Sequence, residues 1–475
     1  MNMPVEMKVS TDSLQALLNN QKSAYQLAPA PSAEQRIAQL IVLKSALLSH
    51  QDELVIALDK DYGQRSTQDT LISDVLPCVM NINYTIKRLK KWMKPQRRHV
   101  GLLLSPAKVN VHYQPLGVIG IMAPWNFPVM LSVGPLITAL GAGNRAMIKL
   151  SEFTPLTNIV ITKMLASIFD KDTVAVVEGE ADVAAAFSAL AFNHLIFTGS
   201  TTVGRHVMRA AADNLTPITL ELGGKSPVII ADDMPIETAV ERLIFGKCIN
   251  AGQICVAPDY IFCPENKVND FINAYQTQFQ KMYGKQSLSK DYGNVINDAQ
   301  HGRLLSWLDD AVEKGATVIS ANNQEINRNS RQLPTQLVTG TTNEMLIMQG
   351  EIFGPILPII GYKELGEAIS YINERPRPLA LYIMSFDEEI QKELLNKTHS
   401  GGVCINETIF QVAADDAPFG GVGDSGMGHY HGKEGFLTFS KAKTVLSRGK
   451  LNTGKLIHPP YGGFIQKLML KMFMR

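Results

Sequence analysis

Cys255 ends the run Asn250-Ala251-Gly252-Gln253-Ile254-Cys255, where small residues precede a cysteine in a loop that follows a helical pattern. An accessible, polarised thiolate is a strong nucleophile. A cysteine taken by itself is more often an inert buried side chain, and Cys78, Cys248, Cys263 and Cys404 read that way. Glu221 begins Glu221-Leu222-Gly223-Gly224-Lys225-Ser226-Pro227, at a strand end before a flexible glycine pair. In a water-poor cleft its pKa would rise and it would act as a general base; facing solvent it would do neither. Asn126 sits in Ala123-Pro124-Trp125-Asn126-Phe127-Pro128. Two prolines fix that loop, and a rigidly held amide N–H is what a developing oxyanion needs. The plainer alternative is a turn asparagine that bonds its own backbone.

Two further segments suit a dinucleotide. Lys149-Leu150-Ser151-Glu152 closes a predicted strand. A cation and a carboxylate there can hold ribose hydroxyls, because ligands collect at strand C-termini in doubly wound sheets; a surface ion pair is the alternative. Phe197-Thr198-Gly199-Ser200-Thr201-Thr202-Val203-Gly204 follows another predicted strand and opens a helix. Its N-terminus can face a pyrophosphate, although the run is not the G-x-G-x-x-G fingerprint.

The elements that must position these groups follow from patterning. The first hundred residues read as helical: Ser32-Ala33-Glu34-Gln35 sets a hydroxyl cap before acidic and amide residues, and Leu40, Leu43, Leu47 and Leu48 recur at helical spacing. The basic run Lys87 to Arg98, broken by Pro95, leads into an exposed segment. From Val111 onward, strands are predicted over 117–123, 145–150, 173–177 and 194–197, with helices over 129–140, 156–169, 183–190 and 203–212. This alternation means parallel strands joined by right-handed crossovers, a doubly wound α/β sheet with a nucleotide-sized crevice. A second α/β series starts near Glu221, with strands over 227–231, 260–263, 316–319, 356–360 and 381–385; the span 287–342, polar in places, reads as holding surface loops. The uncharged stretch from Gln114 to Asn144 is not a spanning helix, because Pro124, Asn126, Pro128 and Pro135 interrupt it.

Bulk properties narrow the classes. A chain of 475 residues makes two to four domains at roughly 100–200 residues each. A net charge of +1 gives no global field for nucleic acid. Five cysteines, without CxxC or zinc-ligand spacing, point to a reducing compartment, no disulfide framework and no metal. The start MNMPVEMKVS lacks the pattern of a secretory signal, so a cytoplasmic location is expected.

In order and at these intervals, the five segments resemble the aldehyde dehydrogenase superfamily. Glu351-Ile352-Phe353-Gly354-Pro355 and Pro418-Phe419-Gly420-Gly421 match two more of its signatures, and the likeness runs from about Ala33 to Ser440. The short lead before Asn126 and the extended C-terminus resemble the dimeric, class 3-like branch; the run Asp424 to His431 resembles the coniferyl aldehyde dehydrogenase group within it. The resemblance implies NAD(P)-dependent oxidation of aromatic, cinnamyl or medium-chain aliphatic aldehydes to carboxylic acids. Cys255 would attack the aldehyde to give a thiohemiacetal, the Asn126 side chain and the Cys255 N–H would hold the oxyanion, and Glu221 would activate water against the thioester. It implies NAD, with NADP tolerated: Lys149 and Glu152 on the adenosine ribose, Gly199, Ser200 and Gly204 about the pyrophosphate, Glu351 on the nicotinamide ribose and Phe353 beside its ring, with Trp125, Ser151 and Leu222 completing the set. Phe127, Met130 and Ile254 would wall an apolar substrate pocket.

The nearest rival is a CoA-acylating enzyme, against which a base at Glu221 argues. A cysteine hydrolase would need a histidine base, and none lies in the motif segments. The implied organisation is a cofactor domain (1–93 and 114–220), a catalytic domain (221–420), a bridging β arm (94–113 and 438–460) and an amphipathic tail (461–475). The arm would add a strand to a partner's sheet in a two-fold homodimer.

Lys467, Lys471 and Arg475 recur every four residues, lining one face of a helix that is apolar around most of the rest. That helix is too short to span a bilayer. It either lies on a membrane surface or packs on its own subunit or the partner, and packing is the favoured reading because a lone short helix anchors weakly. His429 and His431 are assigned no catalytic role.

Overall fold

The computed structural model describes residues 11–451 and 453–474. The first ten residues, on which the secretion reading rests, lie outside them, as does Arg475.

The N-terminal helices form as their caps and stripes dictate. Ser32 Oγ accepts from the Gln35 amide and Gln35 Oε1 accepts from the Ser32 amide, so two orphan donors are satisfied at the start of the helix Ala33–Ser49. Leu40, Leu43 and Leu47 are fully buried along it, while Leu48 faces outward.

Among the described residues, sixteen strands fall into three sheets. The arm begins with β1 (Gln96–Arg98) and β2 (Lys108–Pro115). Next come β3 (Val118–Met122), β4 (Arg145–Lys149), β5 (Val174–Val177), β6 (His194–Gly199) and β7 (Ile218–Leu222). The second α/β series contains β8 (Pro227–Ile230), β9 (Tyr260–Pro264), β10 (Thr317–Ser320), β11 (Gln336–Thr339), β12 (Ile356–Tyr362), β13 (Ala380–Met384) and β14 (Gly402–Ile405). The chain then returns through β15 (Gly426–Met427) to the first sheet and through β16 (Ser440–Ser447) to the arm.

The first sheet runs β15-β7-β6-β3-β4-β5, parallel except for β15. The second runs β10-β11-β12-β9-β8-β13-β14, parallel except for β10. Strands buried on both faces explain the unbroken apolar runs, such as Val118–Met122 and Ala380–Met384, all of whose residues are buried or glycine.

Two readings are refined by the structure. The span 287–342 holds surface loops at 287–297 and 321–335, and beside them the helix Asp298–Glu313 as well as β10 and β11. His301, Leu304, Leu305, Leu308 and Ala311 form that helix's buried stripe, thin enough to be masked by its polar faces. The C-terminal helix Phe464–Phe473 meets the segment just before it, where Gln466 Nε2 donates to His458 O at 3.1 Å, and leaves its apolar side chains largely in solvent on this subunit. Phe464, Ile465, Leu468, Leu470, Met472 and Phe473 are each at least 45% exposed.

Candidate active site

In the first sheet the connections from β3 run to one side and those from β6 to the other, so a crevice opens at the C-terminal ends of these neighbours. The loop leaving β3 carries Trp125 and Asn126, and that leaving β6 carries Ser200. From β7 the chain passes through Gly223–Ser226 directly into β8, so the C-terminal edge of the first sheet faces the N-terminal edge of the second. Cys255 arrives just ahead of β9, and Glu351 and Phe353 just ahead of β12.

A cleft of about 390 Å³ lies between the two edges. Its walls bring together Trp125, Asn126, Lys149, Ser151, Glu152, Gly199, Ser200, Glu221, Cys255, Glu351 and Phe353. Gly204 and Leu222 stand behind the wall: a Cβ on Gly204 would come within 2.7 Å of Leu222 Cδ2, so the glycine lets the helix Thr201–Ala212 lie close on β7. Phe127, Met130 and Ile254 do not line this cleft. Phe127 and Ile254 belong to the second sheet's core, and Met130 opens the helix Met130–Ala142 beside the Cys78 thiol.

The Cys255 loop is bent hard. Asn250, Ala251 and Gly252 take φ of 48°, 51° and 72° in succession. Left-handed backbone at non-glycine residues costs on the order of 1–3 kcal/mol each and persists only where packing holds it. Here a web of hydrogen bonds does so. Asn126 Nδ2 donates to Gln253 O at 3.0 Å. Asn250 Nδ2 donates to Asn126 O at 3.0 Å, and Gln253 Nε2 donates to Asn250 O at 2.8 Å. The amide side chain and the cysteine loop are thus parts of one network.

Sequence reasoning missed the other half of that network. Asn126 O also accepts from Arg65 Nη1 (2.8 Å) and the Tyr62 hydroxyl (3.1 Å). Arg65 pairs with Asp74 at 2.7 Å, both side chains fully buried, and lies against the rings of Tyr62 and Phe127. The second oxygen of Asp74 accepts from the amides of Val129 and Met130, where the helix Met130–Ala142 begins. A wide π-type turn over Leu71–Val75 aims Asp74 inward. No local motif announces Arg65 or Asp74; the backbone groups they hold, Asn126 O and the Val129 and Met130 amides, lie more than fifty residues away.

The electrostatics of the cleft come from burial. Both Glu221 oxygens lack a hydrogen-bond partner, and desolvation raises its pKa well above the carboxylate range. Burial, then the nearby Asp259, lifts Glu351 to about 8 despite the Gly224 amide. The Cys255 thiol is pushed up to about 12, by burial first and then by Glu351 and Glu221. Desolvation is the largest of these causes, and it holds the resting thiol neutral.

A nicotinamide dinucleotide fits these walls. Lys149 Nζ, almost wholly buried, bonds Glu152 Oε2 at 3.1 Å at a strand end, presenting a cation and a carboxylate side by side. Ser200 caps the helix Thr201–Ala212, whose free N–H groups suit an anion. Trp125 and Phe353 meet edge to face, 5.3 Å between centroids, as an aromatic wall. Glu351 has a buried, unpartnered oxygen in the cleft. Gly223 lets Glu351 pass: a Cβ there would meet its carboxylate oxygens at 2.1 and 2.2 Å. Gly223→Ala therefore displaces Glu351 and weakens dinucleotide binding by ~10-fold or more, read by fluorescence titration, while the fold survives. Unchanged affinity would show that Glu351 does not contact the dinucleotide.

The aldehyde dehydrogenase family profile matches residues 7–445. A protein of Pseudomonas aeruginosa described as a probable coniferyl aldehyde dehydrogenase is 53% identical over 98% of this chain and 97% of its own length. A Staphylococcus aureus AldH solved in a substrate-bound state superposes with a TM-score of 0.92 at 36% identity, covering both chains completely. A Mycobacterium tuberculosis aldehyde dehydrogenase complexed with NAD+ superposes at 0.84 with 28% identity, covering 94% of this chain and 92% of its own. The chain belongs to the aldehyde dehydrogenase family. It is an oxidoreductase that acts on aldehydes with a nicotinamide dinucleotide as electron acceptor.

Proposed function

We propose that Cys255 is the nucleophile, Asn126 the oxyanion donor and Glu221 the base that activates water, in an enzyme that takes aromatic and cinnamyl aldehydes to their acids. One observation carries this reading: Cys255, Asn126 and an unpartnered, desolvated Glu221 carboxyl line a single cleft at the sheet's switch point. The Cys255 thiol gives its proton to water as its sulfur adds to the aldehyde carbon, which becomes tetrahedral with an oxyanion in place of the carbonyl oxygen. That oxyanion is met by the Asn126 side-chain amide and the Cys255 backbone N–H. The bound dinucleotide supplies the hydride acceptor. Glu221 then takes a proton from water as the oxygen attacks the thioester, and the Cys255 thiolate departs. Asn126→Ala lowers kcat/KM by about 10²–10³ without a matching loss of dinucleotide affinity.

Lys149 and Glu152 hold the adenosine ribose, and the negative charge of Glu152 near the 2′ position favours NAD over NADP. The substrate class rests on the full-length likeness to the Pseudomonas aeruginosa protein. A panel of coniferyl aldehyde, benzaldehyde and hexanal, each with NAD and with NADP, tests both preferences through reduced nicotinamide. The cinnamyl aldehyde with NAD gives the largest kcat/KM, and the product is free acid. A clear preference for hexanal overturns the substrate class, and acyl-CoA in place of acid overturns the role of Glu221.

The proposed domains are residues 1–93 and 114–220 for the cofactor, 221–420 for catalysis, and 94–113 and 438–460 for the arm. β16 is one outer strand of the arm and β14 one outer strand of the second sheet. Pairing of one protomer's β16 with its partner's β14 closes both edges and gives a two-fold homodimer. Five free thiols suit a cytoplasmic, reducing location.

A further inference from the structure

The arm and the chain that follows it gather one sign of charge. Residues 94–115 and 440–475 contain twelve of the chain's 45 Lys and Arg and none of its 44 Asp and Glu; the remainder stands at −11 within a total of +1. The fold brings these segments together. β2 and β16 pair along eight residues, from Pro115↔Ser440 to Lys108↔Ser447. Thr453 Oγ1 donates to Ser105 O at 2.8 Å, which folds the start of the tail against the arm's tip. Shallow clefts at the tip are walled by Arg97, Arg98 and Lys108 on one side and by Lys108 and Lys450 on the other.

From this cationic base extends the helix Phe464–Phe473. Lys467 and Lys471 lie on one face. Phe464, Leu468 and Met472 follow one another along a flank, all more than half exposed. Tyr461 and Leu451, nearer the arm, are 77% and 74% exposed.

We propose that the arm tip and this helix form one docking surface for an anionic lipid bilayer. The helix lies in the headgroup plane, its apolar flank in the acyl boundary, and its lysines and the arm's cations meet lipid phosphates. Ten residues reach about 15 Å, half the hydrocarbon thickness, so the helix lies on the membrane rather than crossing it. A lone short helix anchors weakly; the arm's cations supply the second signal. The same surface of a second copy is the wrong occupant, since two faces of one sign repel. A nucleic acid would match the charge and leave the Phe464, Leu468 and Met472 side chains in water.

The test floats the full-length protein with phosphatidylcholine vesicles, with and without phosphatidylglycerol, at low and high salt. The protein rises with the anionic vesicles at low salt and not with the neutral ones. Lys467→Gln/Lys471→Gln weakens binding roughly 25-fold, about fivefold per lysine. Leu468→Glu/Met472→Glu abolishes it, while turnover of a water-soluble aldehyde stays at the wild-type level. Equal flotation with neutral vesicles, or undiminished flotation of the glutamate variant, refutes the proposal. So does a smaller sedimenting species in that variant when wild type does not float, which assigns the helix to self-association. Oligonucleotide binding that survives the glutamates, again without flotation, assigns the cations to nucleic acid.

Discussion

Cys255→Ala lowers aldehyde-dependent reduction of nicotinamide by at least ~10⁴-fold, while dinucleotide affinity moves by no more than about twofold. The size of the effect follows from the chemistry. An aldehyde carbon offers no readily transferred hydride until a nucleophile makes it tetrahedral, and Cys255 is the thiol lining the cleft. Water is the alternative nucleophile, and it has no covalent attachment to hold the carbon in place. Asn126 and Glu221 remain in the variant, so what is lost is the attacking atom and not the site. The affinity half of the expectation rests on Lys149, Ser200 and Glu351 lying on other segments of the cleft. Turnover within tenfold of wild type would remove Cys255 from the mechanism. A parallel fall in dinucleotide affinity would mean that the substitution had damaged the cleft.

Glu221→Gln separates the two halves of the reaction. The first turnover still releases reduced nicotinamide, because attack and oxidation need the thiol and not the carboxyl. Steady-state turnover then falls by about 10²–10⁴, and the acyl-enzyme accumulates on Cys255. Rapid mixing with mass spectrometry of the intact protein reads both. A steady state without an acyl adduct would assign the base to another group. In the wild type, deacylation demands the ionised carboxylate, so its rate climbs with pH towards the raised pKa of Glu221.

The same residue makes a stability prediction of opposite direction. The folded pKa lies above the unfolded value, so Glu221 stabilises the fold relative to the unfolded chain most below the unfolded pKa. That contribution is lost as pH rises towards the folded pKa, because only the unfolded chain can ionise the group freely. Glutamine has no such loss. At pH 7.5 the variant resists urea better than wild type, and the gain vanishes near pH 4. A variant less stable at both pH values would show that the Glu221 carboxyl has native partners.

How much of this site could be read from the residues depends on how locally each signal is written. Asn126, Glu221, Cys255 and Glu351 stand in short runs whose composition is set by their immediate backbone: prolines around Asn126, glycines after Glu221, and the left-handed turn before Cys255. The parallel sheets were legible too, because strands buried on both faces carry unbroken apolar runs. The helix Asp298–Glu313 was not, since its buried stripe is narrow and flanked by charge. Nor was the solvent exposure of the helix Phe464–Phe473, because periodicity reveals an apolar face but not what meets it.

Sequence alone therefore determined the chemical inventory, the alternation of strands and helices, and the order of the motifs, all of which are encoded within a few residues of backbone. Tertiary structure alone decided that Arg65 and Asp74 hold the Asn126 loop, that Glu351 passes over Gly223, and that the arm and the chain after it lie together. Those are contacts between segments distant along the chain, and hydrogen bonds and desolvation act through space, whatever the separation in sequence.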